Sequence, residues 1–237
     1  EFEFTEEQNR VRDQFITVQH LFNESRRKIL SQWLTMEIAP DVYSFDLFTR
    51  DFCVKLLEEV EHFSRSVDTI YLRPNSMNNF GVVCDEMGLN EFFDVFVCEY
   101  WSHVARIMNR GACILDDHHS FVVQYDATAA AAVSSDVKLD LHVDDSELTL
   151  NVCLGREGFE GGAVFFQGMA ERPDTLDQYE EYEHVIGRAI MHDGTHRHGA
   201  TVLTKGQRYN LIVWCRSSAK RKDTESRINF HVAAQPS

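Results

Sequence analysis

The sequence predicts an α+β protein in which a helical N-terminal layer packs on a β domain, and two changes of pattern along the chain predict it. As far as about Asn109, apolar residues recur mostly at spacings of three and four, the repeat of a helix with one buried face. From His119 onward the repeat falls to two, in six short runs separated by Gly, Asp, Thr and Ser turns. Short strands so closely spaced form a sandwich or barrel rather than alternating βαβ units. The 237 residues, 43% hydrophobic and 26% charged, suffice for one sizeable core. The helical layer (1–110) and the β core (111–237) are therefore expected to fold as one cooperative unit.

Between Thr5 and Met36 the stripe Val11, Phe15, Val18, Leu21, Phe22, Ile29, Leu30 and Leu34 predicts one or two amphipathic helices. A second helix is expected from Ser44 to about Val67, with Phe48, Phe52, Leu56, Leu57 and Val60 as its apolar face and Ser44 or Asp46 as its cap. An aromatic-rich third runs from Asn90 to about Asn109. The strands are FVVQY, VKLDLHV, LTLNVCL, AVFFQ, GRAIMH and YNLIVWC. DATAAAAVSSD (126–136) interrupts them; so short an alanine-rich run is marginal as an isolated helix and reads as a mobile connection. GREGFEGG (155–162) precedes a strand rather than a helix, so it lacks the helix N-terminus of a phosphate loop and reads as a hairpin connection. After a polar tail, INFHVA is a candidate edge strand.

The balance of 23 basic against 38 acidic residues, −15, opposes binding to nucleic-acid phosphates and anionic membranes, so no nucleic acid is expected as partner. No apolar run approaches the roughly 18 to 20 residues that span a bilayer, and no secretory signal opens the chain, which begins at Glu1. Six dispersed cysteines form no CxxC pair and sit mostly inside apolar runs, as buried free thiols do. An intracellular setting, cytoplasmic or nuclear, is expected.

LDLHVDDSELTLNVCLG (139–155) departs from this plain alternation. Taken strictly, Leu139, Leu141 and Val143 face one way and Asp140, His142 and Asp144 the other, which is either a solvated face or one side of a metal site. Further histidines, His192, His196 and His198, cluster downstream in MHDGTHRHG. Two imidazoles and one carboxylate leave coordination positions open, as non-haem Fe(II) requires, whereas structural zinc sites close all four, often with cysteine. On the strand after them, Arg208 shares a face with Asn210, Ile212 and Trp214; an arginine there either snorkels at the strand end or holds an anion, for which a carboxylate suits its planar fork.

Together HVD (142–144), HG (198–199) and Arg208 ten residues beyond resemble the Fe(II)- and 2-oxoglutarate-dependent oxygenases of the prolyl/lysyl hydroxylase branch. FVVQYDA, HVDDSELTLNVCLG, FEGGAVFF, HVIGRAIMHDG and GQRYNLIVW are similar to the catalytic domain of procollagen lysyl hydroxylases. RPNSMNNFGVVCDEMGLNEFF resembles the 2-oxoglutarate and iron-dependent oxygenase domain-containing proteins of animals, a likeness that covers about residues 70 to 217.

The resemblance implies a double-stranded β-helix, or jelly roll, with supporting N-terminal helices. It implies Fe(II) on His142, Asp144 and His198, and 2-oxoglutarate paired through its far carboxylate with Arg208. Tyr125 and Asn151 match polar positions of the family's pocket; read alone they are a strand-end tyrosine and an inward asparagine. The ten-residue interval to Arg208 and the following Gly199 select His198, leaving His192 to end the preceding strand and His196 as a supporting or exposed group. Asn75, Asn78 and Asn79 read equally as loop caps or as the rim of the site.

The implied reaction consumes O₂ and 2-oxoglutarate, with ascorbate as reductant, and hydroxylates a C–H bond with release of succinate and CO₂. The implied target is a lysine or proline side chain of a protein or peptide. The rival readings are an oxygenase of a small molecule or nucleobase, and a non-catalytic jelly-roll module that holds metal for structure.

Overall fold

The computed structural model describes residues 36–66, 73–107, 114–128 and 136–222. The helices expected before Met36, most of the alanine-rich connection, Cys113 and the INFHVA strand lie outside the described residues.

The chain opens with β1 (Met36–Ala39) and β2 (Val42–Asp46), followed by helix α1 (Arg50–Ser66). Strand β3 (Gly81–Val83) and a 3₁₀ turn lead into one helical stretch, α2 (Asn90–Val95), a π-helical turn (Phe96–Trp101) and α3 (Ser102–Ile107). Then come β4 (Asp117–Asp126), β5 (Leu139–His142), β6 (Leu148–Gly155), β7 (Glu160–Gly161), β8 (Val164–Met169), β9 (Glu180–Tyr182), β10 (Arg188–His192), β11 (His196–Ala200), β12 (Leu203–Lys205) and β13 (Gln207–Arg216). A seven-stranded sheet in the order β1-β2-β10-β6-β13-β4-β3 faces a four-stranded one, β5-β11-β8-β9, and β12 pairs with β7. This is the expected jelly roll. Ala39, Val42 and Ile190 of the large sheet pack with Val164, Phe166 and Tyr182 of the small one. No described helix is long and apolar enough to cross a membrane.

Strand β6 shows how the sequence places the core. LTLNVCLG is buried almost throughout, because α1 packs on the strand and β10 and β13 flank it. A strand covered on both faces has no reason to alternate with polar residues. In α1 the buried positions are Cys53, Leu57 and Val60, spaced four and three, while Phe52 is exposed. The cap is Thr49, whose Oγ1 accepts the Phe52 N–H at 3.2 Å. The expected caps, Ser44 and Asp46, instead belong to β2.

Two expectations are corrected. The stretch 1–110 is not purely a helical layer: β1, β2 and β3 lie in it and hydrogen-bond into the large sheet, and the compact unit that holds them begins at Met36 rather than 111. Strict alternation also fails in β5. His142 pairs with His198 but Leu139 with Ala200, so three residues of β5 oppose two of β11, a bulge. Leu139 and His142 thus turn together toward the interior, while Leu141 and Val143, read as a core-facing pair, are 36% and 47% exposed.

Candidate active site

Strand β5 lies at the edge of the small sheet and delivers His142; the chain then turns, and the Asp144 N–H donates to the Gly194 carbonyl at 2.9 Å. A Cβ at Gly194 would stand 2.0 Å from the Ser146 carbonyl oxygen, so the two turns interlock only because residue 194 is glycine. The neighbouring strand β11 delivers His198. His142 Nε2 lies 3.5 Å from Asp144 Oδ1 and His198 Nε2 lies 3.6 Å from Asp144 Oδ2. One donor atom from each of the three residues falls within 4.8 Å of the others.

The orientation of the rings is set locally. His142 Nδ1 is 2.8 Å from the Asp140 carbonyl oxygen and His198 Nδ1 is 2.9 Å from that of His196. A carbonyl only accepts, so each Nδ1 carries a proton and each Nε2 faces Asp144, where it can offer its lone pair to a metal once unprotonated. The carboxylate receives a hydrogen bond from Thr149 Oγ1 at 2.6 Å, and Ser146 Oγ braces Thr149 at 2.7 Å. Two ligands at about 2.0–2.1 Å from one ion stand roughly 3–3.5 Å apart, so these donors need little movement to close on a divalent cation.

Burial opposes the charge on Asp144, but the surrounding imidazoles, His198 foremost, and the Thr149 hydroxyl outweigh it and hold the carboxyl below its ordinary range. Burial pushes His198 down, with Asp144 opposing; for His142 burial also pulls down, and the hydrogen bond and charge of Asp144 prevail and raise it.

His192 ends β10 as expected, yet its Nε2 lies 3.8 Å from Asp144 Oδ2. Burial and the adjacent His198 push its pKa down to about 3. His196 is buried, which removes the exposed reading, and it packs edge-on to Phe166. Only His198 of the two lines the cavity, although period two would face them alike; a register shift between them separates their environments.

That cavity, of about 160 Å³, lies between the sheets. It is comparable with the roughly 150 Å³ space that admits a benzene-sized ligand. Arg208, Asn210, Ile212 and Trp214 all line it, as their shared face predicts, opposite Tyr125, Val123 and Phe121 of β4. Arg208 is 1% exposed, so it is no snorkelling strand-end residue. Its guanidinium sits 4.6 Å over the Tyr125 ring, Nη1 donates to the Gly162 carbonyl, and Nε has no partner. Burial lowers the Arg208 pKa, with Tyr125 opposing. Gly162 has φ +72°, and a Cβ there would meet Nη1 at 2.6 Å, so glycine leaves the space the guanidinium fills.

The Tyr125 hydroxyl accepts from Asn78 Nδ2 at 3.3 Å, and burial raises its pKa. Asn151 Oδ1 accepts from Asn210 Nδ2 at 2.6 Å, and His184 Nδ1 stands 3.4 Å from the same nitrogen. Burial and Arg208 keep His184 uncharged. Both readings of the asparagine loop hold: Asn75 Oδ1 caps the Met77 and Asn78 N–H groups at 2.8 Å each, while Asn75 and Asn78 line the cavity. Asn79 is tied to Asp136 instead. Thr149 and His184 were not legible as site residues: a threonine in a strand is ordinary, and a single histidine in EYEHV carries no spacing signal.

The described cluster suits a hard-to-borderline divalent cation, and the unpartnered Arg208 Nε on the same cavity suits an anion beside it. Comparison with known proteins agrees with the resemblance read from the sequence. Residues 3–113 match the OGFOD2-like domain model, so the likeness also takes in the N-terminal stretch. The chain is 41% identical over 197 residues to the Arabidopsis thaliana 2-oxoglutarate and iron-dependent oxygenase domain-containing protein ICU11, covering 79% of this chain and 48% of that protein. It is 40% identical over 196 residues to the human 2-oxoglutarate and iron-dependent oxygenase domain-containing protein 2, covering 81% and 54%. The chain therefore spans about half the length of these relatives. The crystal structure of a Pseudomonas putida prolyl-4-hydroxylase superposes with a TM-score of 0.52 at 14% identity, over 75% of this chain and 92% of that one, which shows the fold.

Proposed function

We propose that this chain is one of the 2-oxoglutarate and iron-dependent oxygenases it resembles, a dioxygenase that hydroxylates a C–H bond of a protein or peptide side chain, lysine or proline. The observation that carries the proposal is that the His142, Asp144 and His198 cluster and the buried Arg208, with one N–H unpartnered, open onto a single cavity. A metal held for structure alone has no use for a buried guanidinium beside it, which disfavours the non-catalytic module.

In this reading His142, Asp144 and His198 hold Fe(II) and Arg208 pairs with the far carboxylate of 2-oxoglutarate. When bound, iron with O₂ and 2-oxoglutarate supplies the oxidising power for hydroxylation, with succinate and CO₂ released and ascorbate keeping the iron reduced. The chain's own residues orient and shield. The backbone carbonyls of Asp140 and His196 keep both imidazoles in the ligating tautomer, and Thr149 aims the carboxylate. Tyr125 stacks under the guanidinium and Asn78 fixes its hydroxyl. Asn151 holds Asn210, whose buried Oδ1 has no partner and is free to accept a proton donor from a guest. Phe121, Val123, Ile212 and Val164 exclude water from the space between. The five described cysteines are free thiols, which supports an intracellular setting.

Succinate production from 2-oxoglutarate with Fe(II) and ascorbate tests the activity, and mass spectrometry of candidate peptides for an added oxygen identifies the target. Metal-loaded protein that forms no succinate, with or without peptide, refutes the proposal. Asp144→Ala is expected to abolish metal binding and His196→Ala to leave most of it; the opposite pattern would mean that the wrong histidine has been assigned.

A further inference from the structure

His184 lies between β9 and β10 and lines the same cavity as Arg208, Asn210 and Asn151. Its Nδ1 stands 3.4 Å from Asn210 Nδ2, an amide nitrogen that only donates, so Nδ1 accepts and the proton of the neutral ring sits on Nε2. Burial and the Arg208 charge keep that ring neutral. His142 and His198 are held the other way round, with Nδ1 donating to a carbonyl oxygen and Nε2 left for a metal. His184 is arranged to donate where they are arranged to ligate.

Asn210, 2% exposed, fixes this arrangement with both hydrogens of its amide, because Nδ2 also donates to Asn151 Oδ1 at 2.6 Å. The run from Asn151 through Asn210 to His184 thus ends in an N–H, which no group among the described residues accepts. Arg208 presents a second unused N–H to the cavity, at Nε. Arg208 and Asn210 are two residues apart on one face of β13, about 7 Å at a rise of about 3.4 Å per residue. A carboxylate whose two oxygens each accept a hydrogen bond of about 2.8 Å spans that separation. Two unused donors on one desolvated cavity are unfavourable until an acceptor joins them, and beside a guanidinium that acceptor is an anion.

We infer that His184 is a second donor to the anion held by Arg208, its Nε2–H meeting the far carboxylate of 2-oxoglutarate, an assignment that rests on Arg208 anchoring the co-substrate as proposed above. The residue thereby sets which keto acid the cavity accepts. A chain that ends in a methyl group leaves both donors unanswered, whereas a carboxylate at the same place satisfies them together. A neutral donor suits this position, since a second cation would repel the Arg208 guanidinium before the anion arrives.

The test uses the full chain with manganese(II) in place of iron, as wild type, His184→Gln, His184→Phe and His184→Asn. Calorimetry reads the Kd of 2-oxoglutarate and of 2-oxopentanoate, which has the same carbon chain without the far carboxylate. Glutamine returns an N–H near the Nε2 position, phenylalanine fills the space without one, and asparagine reaches only as far as Nδ1. Losing a hydrogen bond to a charged group weakens binding about 10- to 150-fold, the loss expected for 2-oxoglutarate in His184→Phe and His184→Asn, against about threefold or less in His184→Gln. 2-Oxopentanoate and manganese should bind all four proteins alike. Unchanged 2-oxoglutarate affinity in His184→Phe, or in His184→Asn if the phenylalanine variant does not fold, overturns the second donor. An equal loss for both acids overturns it too, by making His184 a structural residue of the cavity. Wild type that binds no 2-oxoglutarate, or binding that survives Arg208→Met, overturns instead the anchor on which the assignment rests.

Discussion

Replacing Arg208 by methionine should separate binding from stability. In the ligand-free protein this guanidinium is buried with a hydrogen bond to the Gly162 carbonyl and the Tyr125 side chain against it, and it makes no ion pair among the described residues. A desolvated cation–π contact contributes about 2 kcal/mol and a hydrogen bond about 1, while desolvating the charge costs several kcal/mol. These nearly cancel, so Arg208→Met should change ligand-free stability by about 1 kcal/mol or less, or raise it. The co-substrate loses its partner outright: stripping one member from a buried ion pair costs about 3–5 kcal/mol, a hundredfold to several-thousandfold in affinity. With manganese(II) replacing iron to prevent turnover, 2-oxoglutarate at about 100 times its Kd stabilises wild type by about 2.7 kcal/mol. At the same concentration the variant should gain about 0.4 kcal/mol or less, read as a vanished thermal shift. Retained 2-oxoglutarate affinity would falsify the clamp, and a ligand-free variant destabilised by several kcal/mol would make Arg208 structural.

Thr149→Val removes the hydroxyl 2.6 Å from Asp144 and should cost about 1.5–3 kcal/mol in metal-free protein at pH 7, measured by urea unfolding. Because the folded Asp144 pKa is depressed, its stabilisation is complete above the unfolded carboxylate value of about 3.9 and lost as pH falls through the folded value. Wild type and Thr149→Val should therefore converge in stability only below about pH 4; a constant gap down to the acid limit would point to packing instead. Gly162→Ala forces a side chain onto φ +72° and toward Arg208 Nη1, and an alanine there costs about 1–2 kcal/mol, so 2-oxoglutarate should bind roughly tenfold more weakly with metal affinity intact. Leu141→Lys should change stability by no more than about 0.5 kcal/mol, since the bulge turns Leu141 outward; a loss above 2 kcal/mol would restore the core-facing reading.

All six strands read from alternation are present, and all but β5 are long enough for two or more buried positions on one face; β5 is short and its residues are half-buried or exposed. Those missed are short or polar. MEIA, VYSFD and GVV offer too few residues to establish a period, and in VYSFD the buried Ser44 reads as polar although it is satisfied by the Tyr182 hydroxyl at 2.7 Å. HRHGA of β11 hides as a strand because its inward groups are imidazoles. The triad residues and Arg208 were visible through residue type and spacing, and the structure brings them to one cavity. The bulge in β5 left no mark on the sequence, since it depends on how many residues of β11 stand opposite. Thr149 needs the fold to bring the turn carrying Asp144 back over β6.

The three rings around Asp144 share one further property. Each is held by a main-chain oxygen one or two residues away, from Asp140, Asp193 and His196. No codon change can delete a peptide carbonyl. The side chains at 140, 193 and 196 are therefore not what orients the rings, and the protonation pattern that fits His142 and His198 to a metal is inherited with the backbone.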